Sequence, residues 1–254
     1  MGKQDVQKKS KSHKDEGSSH SSKDKKDKKD KKKSSYSDKE KKVVKSSGIS
    51  YLKEIEELKK TIPFWDNMFS SDISDEDRQI AWTRLEVIGE PLIEKYSWAI
   101  PDKKAIHICK HFSPLIELGC GRGYWAKLLR DFDNTDIIAV DKYEKRKKWT
   151  NVENGDPYLA LSKSSNSNRT LLLSYPDQGE AMAIECLRYY HGQYIIHIGE
   201  LLVSGTGTKC GGLQRPWGKT TSADFQVTLV ETFHCVLQYK LNSYPFSNDY
   251  LTVW

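Results

Sequence analysis

The segment LIELGCGRGYW, residues 115–125, constrains the fold more than any other part of the chain. An apolar run of strand length enters a loop with glycines at 119, 121 and 123, and the amphipathic stretch YWAKLLRDF follows it. Strand–glycine–helix turns of this kind bind nucleotide-derived ligands beside the N-terminus of the helix. The segment therefore predicts a ligand-binding unit, and the details of the loop decide which ligand it holds.

From Pro114 onward, short apolar runs alternate with stretches of helical periodicity. We predict strands in PLIEL, DIIAVD, TNVENGDP, RTLLLSYPD and QYIIHIGEL, and helices in YWAKLLRDF, YLALSKS and GEAMAIECLRYYHG. Strands joined by helices of this length form a parallel sheet that binds ligands at the carboxyl ends of its strands. The last two runs, TFHCVLQYKL and DYLTVW, are separated only by NSYPFSN, which favours an antiparallel hairpin. The sequence thus predicts an α/β fold whose sheet is parallel except at one edge.

A helical extension, residues 48–112, is expected to precede this domain, which spans residues 113–254. YLKEIEELKKTI has apolar residues at 52, 55, 58 and 62, a helical spacing. SDEDRQIAWTRLEVIG begins with Ser74 as its N-cap and has acidic residues in its first turn, and PLIEKYSWA and DKKAIHICKHF complete the extension. The large apolar residues expected on the inner side of the second helix are Ile80, Trp82, Leu85 and Ile88.

Residues 1–47 differ sharply in composition from the rest of the chain. They hold 17 lysines and 8 acidic residues, whereas the remainder holds 24 lysines and arginines against 27 acids. With few apolar side chains, this tail buries too little surface to offset its ordering entropy, so we predict that it is disordered. Its lysines suit nucleic acid, an acidic membrane or an import receptor, and a solubilising role is the alternative.

The sequence also argues against several other classes of protein. It has no apolar run of about 18 residues and no signal peptide pattern, so we expect an intracellular location, cytoplasmic or nuclear, without a membrane span. Its five cysteines include no C-x-x-C pair, which is typical of a reducing compartment. In HICKH, residues at i, i+2 and i+4 of a helix do not converge, so we predict no metal site.

Three details of the glycine loop narrow the choice of ligand. A dinucleotide loop needs its third glycine at position 124, where this chain has Tyr124, and the Gly-Lys-Ser/Thr of a phosphate loop is absent. Glu117, two residues before the first glycine, suits an amino group or a cationic centre. Asp141 ends the IIAVD strand 22 residues after Gly119, the spacing of an acid that hydrogen-bonds ribose hydroxyls. The pattern predicts a ligand that combines a ribose with a cationic or zwitterionic part, as S-adenosylmethionine does.

IELGCGRGYW, AVD and the terminal antiparallel pair resemble the S-adenosylmethionine-dependent methyltransferases that have a Rossmann-like, seven-stranded sheet, over roughly residues 96–254. More narrowly, KYSWAIPD, NGDP, TLLLSYPD and YHGQYIIHIGEL resemble a group of methyltransferase-like proteins of unassigned function. The resemblance implies that Gly119, Gly121 and Gly123 line the methionine portion of the cofactor, with Glu117 near its amino group.

The same resemblance places Asp141 on the ribose and Asp156, in NGDP, near the adenine amino group. Alternatives remain for each of these positions. The alternative for the glycines is a tight strand–helix turn, for Asp141 a helix cap, and for Asp156 an ordinary turn before Pro157.

The fourth predicted strand ends in Ser174-Tyr175-Pro176-Asp177, where the resemblance places the catalytic segment. Amino-group methyltransferases carry Asp, Asn or Ser there, followed by Pro-Pro and an aromatic, and this segment orients the target nitrogen. Ser174 and Pro176 match that pattern, whereas Tyr175 and Asp177 depart from it. We predict that Ser174, Tyr175 and Asp177 are the catalytic residues, with Asp177 orienting or deprotonating a nucleophile. The alternative is that YPD forms an ordinary turn.

Several further residues are secondary candidates. Tyr96 and Trp98 are placed where this fold commonly builds a lid, whereas Trp125 is expected in the core. His197 and Glu200 end the fifth strand and are expected to face the same cleft. The glycine-rich segment 203–222 is either a mobile substrate loop or a poorly ordered insertion.

Three functions stay open at the level of sequence. The first is a methyltransferase acting on nitrogen or oxygen of a nucleic acid, a protein or a small molecule. The second is a binding module that keeps the fold without turnover. The third is a protein that associates with nucleic acid through residues 1–47, which is compatible with the first.

Overall fold

Seven strands form the central sheet of the protein, and two more form a separate ribbon. The computed structural model describes residues 50–62, 64–132, 134–201, 209–210, 213–214 and 220–254. The strands of the sheet are β1 (Leu115–Leu118), β2 (Ile137–Asp141), β3 (Glu153–Asn154), β4 (Thr170–Ser174), β5 (Ile195–Gly199), β8 (Leu237–Lys240) and β9 (Tyr250–Val253). The ribbon pairs β6 (Lys209–Cys210) with β7 (Leu213–Gln214).

The sheet is mixed, and its strand order is β3-β2-β1-β4-β5-β9-β8. Strands β1 to β5 are parallel to one another, whereas β9 is antiparallel to both β5 and β8. The predicted antiparallel pair is confirmed, but its second strand lies inside the sheet, between β5 and β8. The protein therefore has an α/β fold with a mostly parallel, seven-stranded sheet.

Helices precede the sheet and connect its strands. They are α1 (residues 50–61), α2 (Asp75–Arg84), α3 (Glu90–Lys95), α4 (Lys103–His111), α5 (Tyr124–Asp131), α6 (Pro157–Leu161), α7 (Met182–Tyr189) and α8 (Ala223–Thr232). Ser74 caps α2 as predicted, since its Oγ accepts a hydrogen bond from the Asp77 N–H at 3.1 Å. Among the residues that the structure describes, no helix has the length and apolar character needed to cross a membrane.

Alternate residues along the strands pack into two hydrophobic clusters on opposite faces of the sheet. On one face, Leu115, Leu172 and Ile196 pack with residues of α1 to α5. On the other face, Ile116, Leu171 and Ile195 pack with residues of α6, α7 and α8. The helices of residues 50–111 and the first face of the sheet thus share one hydrophobic cluster.

The inner side of α2 differs from the prediction. Ile80, Trp82 and Ile88 are 47%, 41% and 42% exposed, and of the four predicted inner residues only Leu85 is buried. The buried stripe is instead Ala81–Leu85–Gly89, in which a π-helical turn from Leu85 to Gly89 continues the helix. A small residue is needed at position 89 because Gly89 packs closely against Tyr244, whose Cε1 would lie 3.3 Å from an added Cβ.

Helix α8 was not anticipated from the sequence. Its N-cap Ser222 accepts a hydrogen bond from the Phe225 N–H at 3.3 Å, and Phe225 and Leu229 are buried one turn apart. Val227 and Val230 are exposed on the same helix. Apolar residues on several sides weaken the amphipathic signal on which a helix prediction depends.

We predict that His197 makes the protein sensitive to acid. This side chain is 0% exposed on β5, and burial lowers its pKa from 6.5 to about 3. As the pH falls below 6.5, the unfolded chain therefore takes up a proton that the folded protein excludes, and stability declines until about pH 3. The total loss should amount to a few kcal/mol.

Urea denaturation at a series of pH values measures this effect. We expect the free energy of unfolding of His197→Gln to depend less on pH between 6.5 and about 3 than that of the wild type. The exposed His234 provides the control, because the free energy of unfolding of His234→Gln should depend on pH as strongly as that of the wild type. An unchanged slope in His197→Gln would show that this histidine is not the cause.

Candidate functional site

The candidate site lies at the edge of the sheet where the parallel strands end. The carboxyl ends of β2, β1, β4 and β5 lie there in that order. Because β9 is antiparallel to β5, the amino end of β9 lies at the same edge. Side chains that follow the parallel strands or precede β9 are therefore brought together, as is usual for ligand sites in such sheets.

The loop after β1 depends on three glycines in the left-handed region of backbone conformation. Their φ angles are 69° at Gly119, 58° at Gly121 and 75° at Gly123. An added Cβ would lie 2.8 Å from Met182 Cε at Gly119 and 2.7 Å from Val152 Cγ2 at Gly123, but would meet nothing within 4 Å at Gly121. The outer glycines thus fit a tight turn, while Gly121 borders open space.

Asp141, at the end of β2, fixes the centre of this loop. Its Oδ2 accepts a hydrogen bond from the Gly121 N–H at 2.7 Å, and its Oδ1 accepts one from the Tyr143 N–H at 2.9 Å. The residue is only 7% exposed. Each carboxylate oxygen accepts more than one hydrogen bond, so Asp141 retains capacity for a ligand after it has positioned the loop.

Glu117 lies beneath the same loop, on β1. It is 1% exposed, and its carboxyl group accepts a hydrogen bond from the backbone N–H of Ala126 in the first turn of α5. Its Oε2 has no hydrogen-bond partner within the described parts of the chain. Burial raises the pKa of Glu117 to about 8, although the Ala126 hydrogen bond and nearby Arg130 lower it. The carboxyl group thus caps α5 and keeps one acceptor unused.

Asp156 lies in the turn between β3 and α6. The Gly155 N–H donates to the Asp141 carbonyl at 3.1 Å, so this turn is next to the end of β2. The Asp156 side chain does not cap α6 and is hydrogen-bonded to the Tyr158 hydroxyl. The structure places Asp156 beside Asp141, and its predicted contact with adenine stays a prediction.

The segment after β4 has an unusual backbone. Tyr175 has a φ of 55°, in the left-handed region, and its N–H donates to the Ile198 carbonyl of β5 at 2.8 Å. Its hydroxyl is hydrogen-bonded to Ser247 and Asp249, and burial is the main cause of its raised pKa. Strained conformations of this kind cluster at active sites and ligand clamps, and Asn134 and Thr221 also have positive φ angles.

Ser174 and Asp177 flank this segment and differ in their surroundings. Ser174 is the last residue of β4 and is half-buried. Asp177 is exposed, and its Oδ1 accepts a hydrogen bond from the Gly179 N–H at 2.6 Å. Asp177 therefore closes its own turn, as the alternative interpretation of YPD requires, and its predicted catalytic role stays a prediction.

The aromatic candidates have separate environments. Trp98 is 52% exposed and stacks on Tyr175, with ring centroids 5.5 Å apart. Tyr96 is 6% exposed and lies between Tyr51 and Trp149, at centroid distances of 4.4 Å and 5.5 Å. The prediction of a lid residue is therefore wrong for Tyr96, which is held in the core by these rings. Trp125 is 1% exposed, as predicted for a core residue.

His197 and Glu200 do not face the same cleft. His197 is 3.1 Å from Thr220 Oγ1 through its Nε2 and packs near Phe225 of α8. Glu200 follows β5, and its charge contributes to the raised pKa of Tyr175. Positions three residues apart on an extended chain lie on opposite faces, which explains the separation. Only Glu200 belongs to the candidate site.

The sequence analysis missed Asp249 as a member of the site. This residue precedes β9 and is 1% exposed, and Ser247 Oγ donates to its Oδ2 at 3.0 Å. Its position depends on the insertion of β9 beside β5, which no local pattern indicates.

Within the described ranges, no group of three His, Cys, Asp or Glu side chains could hold a metal ion. Most of the predicted loop 203–222 lies outside the described residues.

Comparisons with known proteins do not assign a family. No family model matches the sequence, and no curated protein matches it. A functional assignment therefore depends on the chemistry and geometry of the residues at the edge of the sheet.

We predict that substitution by alanine lowers the free energy of unfolding more at Gly123 than at Gly121. At either position alanine must adopt a left-handed conformation, which costs about 1–2 kcal/mol. Gly123→Ala also forces Cβ against Val152, so its total loss of stability should be about 2–4 kcal/mol. Chemical denaturation of both variants measures the difference. Equal losses would contradict the tight packing at Gly123.

Proposed function

We propose that the protein is an S-adenosylmethionine-dependent methyltransferase with a Rossmann-like fold, acting on a nitrogen or oxygen acceptor. The observation that carries this proposal is the hydrogen bond of 2.7 Å between the Gly121 N–H and Asp141 Oδ2. It joins a glycine loop that borders open space to a carboxylate placed for ribose hydroxyls. The strand order, with β9 antiparallel between β5 and β8, supports the same fold.

The residues present fit the chemical groups of this cofactor. Glu117 has an unused, buried Oε2, which suits the amino group of the methionine portion. Asp141 would hold the ribose, and the open space at Gly121 would receive the methionine portion of the cofactor. When bound, S-adenosylmethionine would supply a methyl group attached to a positively charged sulfur.

A dinucleotide or triphosphate fits the same loop less well. Phosphates bind at helix N-termini through free backbone N–H groups and the positive end of the helix dipole. At α5 the Ala126 N–H is already bonded to the Glu117 carboxyl group. A carboxyl group there occupies a donor that a phosphate would use, and its ionised form would repel the phosphate. This distinction favours a ligand with a cationic part.

A binding module without turnover is the second candidate. It is favoured by Asp177, which is exposed and engaged in its own turn, so the segment after β4 offers no buried base at that position. Association with nucleic acid through residues 1–47 is compatible with either function and concerns a segment outside the described residues.

Calorimetric titration of the full-length protein tests the cofactor. We predict that S-adenosylmethionine and S-adenosylhomocysteine both bind, and that Asp141→Asn weakens binding about ten- to a hundredfold through loss of a charged hydrogen-bond acceptor. NAD and ATP should bind much more weakly than either. Gly121→Ala should also weaken binding, because its Cβ enters the open space.

The exposed Glu144, three residues beyond Asp141, provides a matched control. Glu144→Gln removes the same charge from the same end of β2 and should leave cofactor affinity unchanged. The proposal would be overturned if folded wild-type protein bound neither ligand, or if Asp141→Asn bound both as tightly as the wild type.

A further inference from the structure

Three polar side chains meet at the edge of the sheet on the far side of β4 from the glycine loop. In the β5–β9 pair, Gly199 is opposite Tyr250, so Glu200 and Asp249 are the next opposing positions. Tyr175 follows β4, the other neighbour of β5. Its hydroxyl is hydrogen-bonded to Asp249, and both carboxylates contribute to its raised pKa after the larger effect of burial. The three groups therefore surround one small region.

The Glu200 side chain is the unusual member of this group. It is 2% exposed, and within the described part of the chain neither Oε1 nor Oε2 has a hydrogen-bond partner. A buried carboxylate without partners is costly, and a second buried carboxylate opposite it adds repulsion. Such an arrangement is expected where a ligand, rather than the protein, supplies the compensating hydrogen-bond donor or positive charge.

Lys240, a cation whose pKa responds to both carboxylates, makes its hydrogen bonds to other residues. Lys240 Nζ donates to Asn248 Oδ1 at 2.5 Å and to Ser243 Oγ at 3.3 Å, and it lies over the Tyr250 ring. Asp249 and Glu200 raise its pKa, although burial lowers it more. Lys240 thus offsets the field of the carboxylates from a distance and leaves the Glu200 oxygens unbonded.

An apolar groove adjoins these residues. Its volume is about 210 Å³, and its lining includes Trp82, Ile93, Trp98 and Phe246 together with Glu86 and Glu90. Trp98 stacks on Tyr175, and Phe246 directly precedes Ser247, which donates to Asp249. The groove and the carboxylates therefore share the Trp98–Tyr175 pair and the segment before β9 as neighbours.

We propose that Glu200, Asp249 and Tyr175 form the acceptor subsite and bind the nitrogen of an amine whose apolar body lies in the groove beside Trp98. This rests on the proposed function, because the amine would be the methyl acceptor. After a proton passes from its nitrogen to Glu200 or Asp249, the lone pair would form the C–N bond as the sulfur–methyl bond of S-adenosylmethionine breaks, and S-adenosylhomocysteine would leave. A protonated or N–H-donating nitrogen supplies the hydrogen-bond donor that the Glu200 oxygens lack, whereas a carboxylate or phosphate acceptor would be repelled.

Calorimetry on the full-length protein tests the subsite with benzylammonium and its neutral counterpart benzyl alcohol, with and without S-adenosylhomocysteine. Wild type should bind benzylammonium at least about tenfold more tightly than benzyl alcohol. Glu200→Gln should abolish this preference while leaving S-adenosylhomocysteine affinity unchanged. The control Glu231→Gln removes an exposed carboxylate on α8 and should keep the preference.

Thermal unfolding of the ligand-free variants separates a ligand site from a structural role. Glu200→Gln replaces a buried, unbonded carboxyl group with a neutral amide and should leave the unfolding midpoint unchanged or raised, as happens when residues kept for binding are replaced. A large fall in the midpoint would show that Glu200 stabilises the fold, and would overturn the proposal. Equal binding of the two probes, or no binding of benzylammonium at millimolar concentrations, would also overturn it.

Failure of the proposed function has a different signature. If benzylammonium binds through Glu200 but S-adenosylhomocysteine does not bind, the amine subsite stands and the cofactor assignment fails. If S-adenosylhomocysteine binds through Asp141 while the probes show no preference, the cofactor assignment stands and the amine subsite fails.

Discussion

The hydrogen bond between Asp141 and Gly121 is the interaction on which the rest of the site depends. It requires a carboxylate at the end of β2, a loop whose glycines adopt left-handed conformations, and the parallel pairing of β1 with β2. Because the Asp141 carboxylate at the end of a buried strand accepts the Gly121 N–H, Gly121 is held at the border of open space. The same constraint positions the N-terminus of α5, which Glu117 caps from below.

Strand β4 divides the edge of the sheet into two chemically different regions. On one side, Asp141, Glu117 and the glycine loop are the groups that we propose to hold the ribose and the amino group of the cofactor. On the other side, Glu200, Asp249 and Tyr175 provide acceptors in a buried, apolar setting. Glu117 and Glu200 each keep unbonded oxygen atoms in the described structure. Buried acceptors without partners lower stability, and under the two proposals a bound ligand would supply the missing donors.

Much of the fold follows from local sequence patterns. The parallel strands are apolar runs bounded by turn residues, and Ser74 and the acids after it indicate the start of α2. The prediction for Ile80, Trp82 and Ile88 was wrong because the buried side of the helix includes Gly89, which packs against the distant Tyr244, and hydrophobicity alone does not indicate a glycine contact. Helix α8 has apolar residues on several sides, so its amphipathic signal is weak.

The cofactor side of the site is easier to predict than the acceptor side. Glu117, the glycines and Asp141 belong to contiguous segments whose spacing reflects one strand–loop–helix–strand unit. Asp249 meets Glu200 only because β9 inserts beside β5, a pairing between residues distant in sequence. The prediction that His197 shares a cleft with Glu200 was wrong. Side chains alternate along a strand, so His197 lies on the face of the sheet that packs against α8.

A crystal structure of the complex with S-adenosylhomocysteine tests the central claim most directly. The account predicts the ribose hydroxyls within hydrogen-bond distance of Asp141 and the amino-acid portion against residues 119–123, with its nitrogen near Glu117. It also predicts that the sulfur faces the Tyr175 side of the loop. A ligand bound away from Asp141 would contradict the account, as would a complex in which the N-terminus of α5 instead binds the phosphate of a nucleotide.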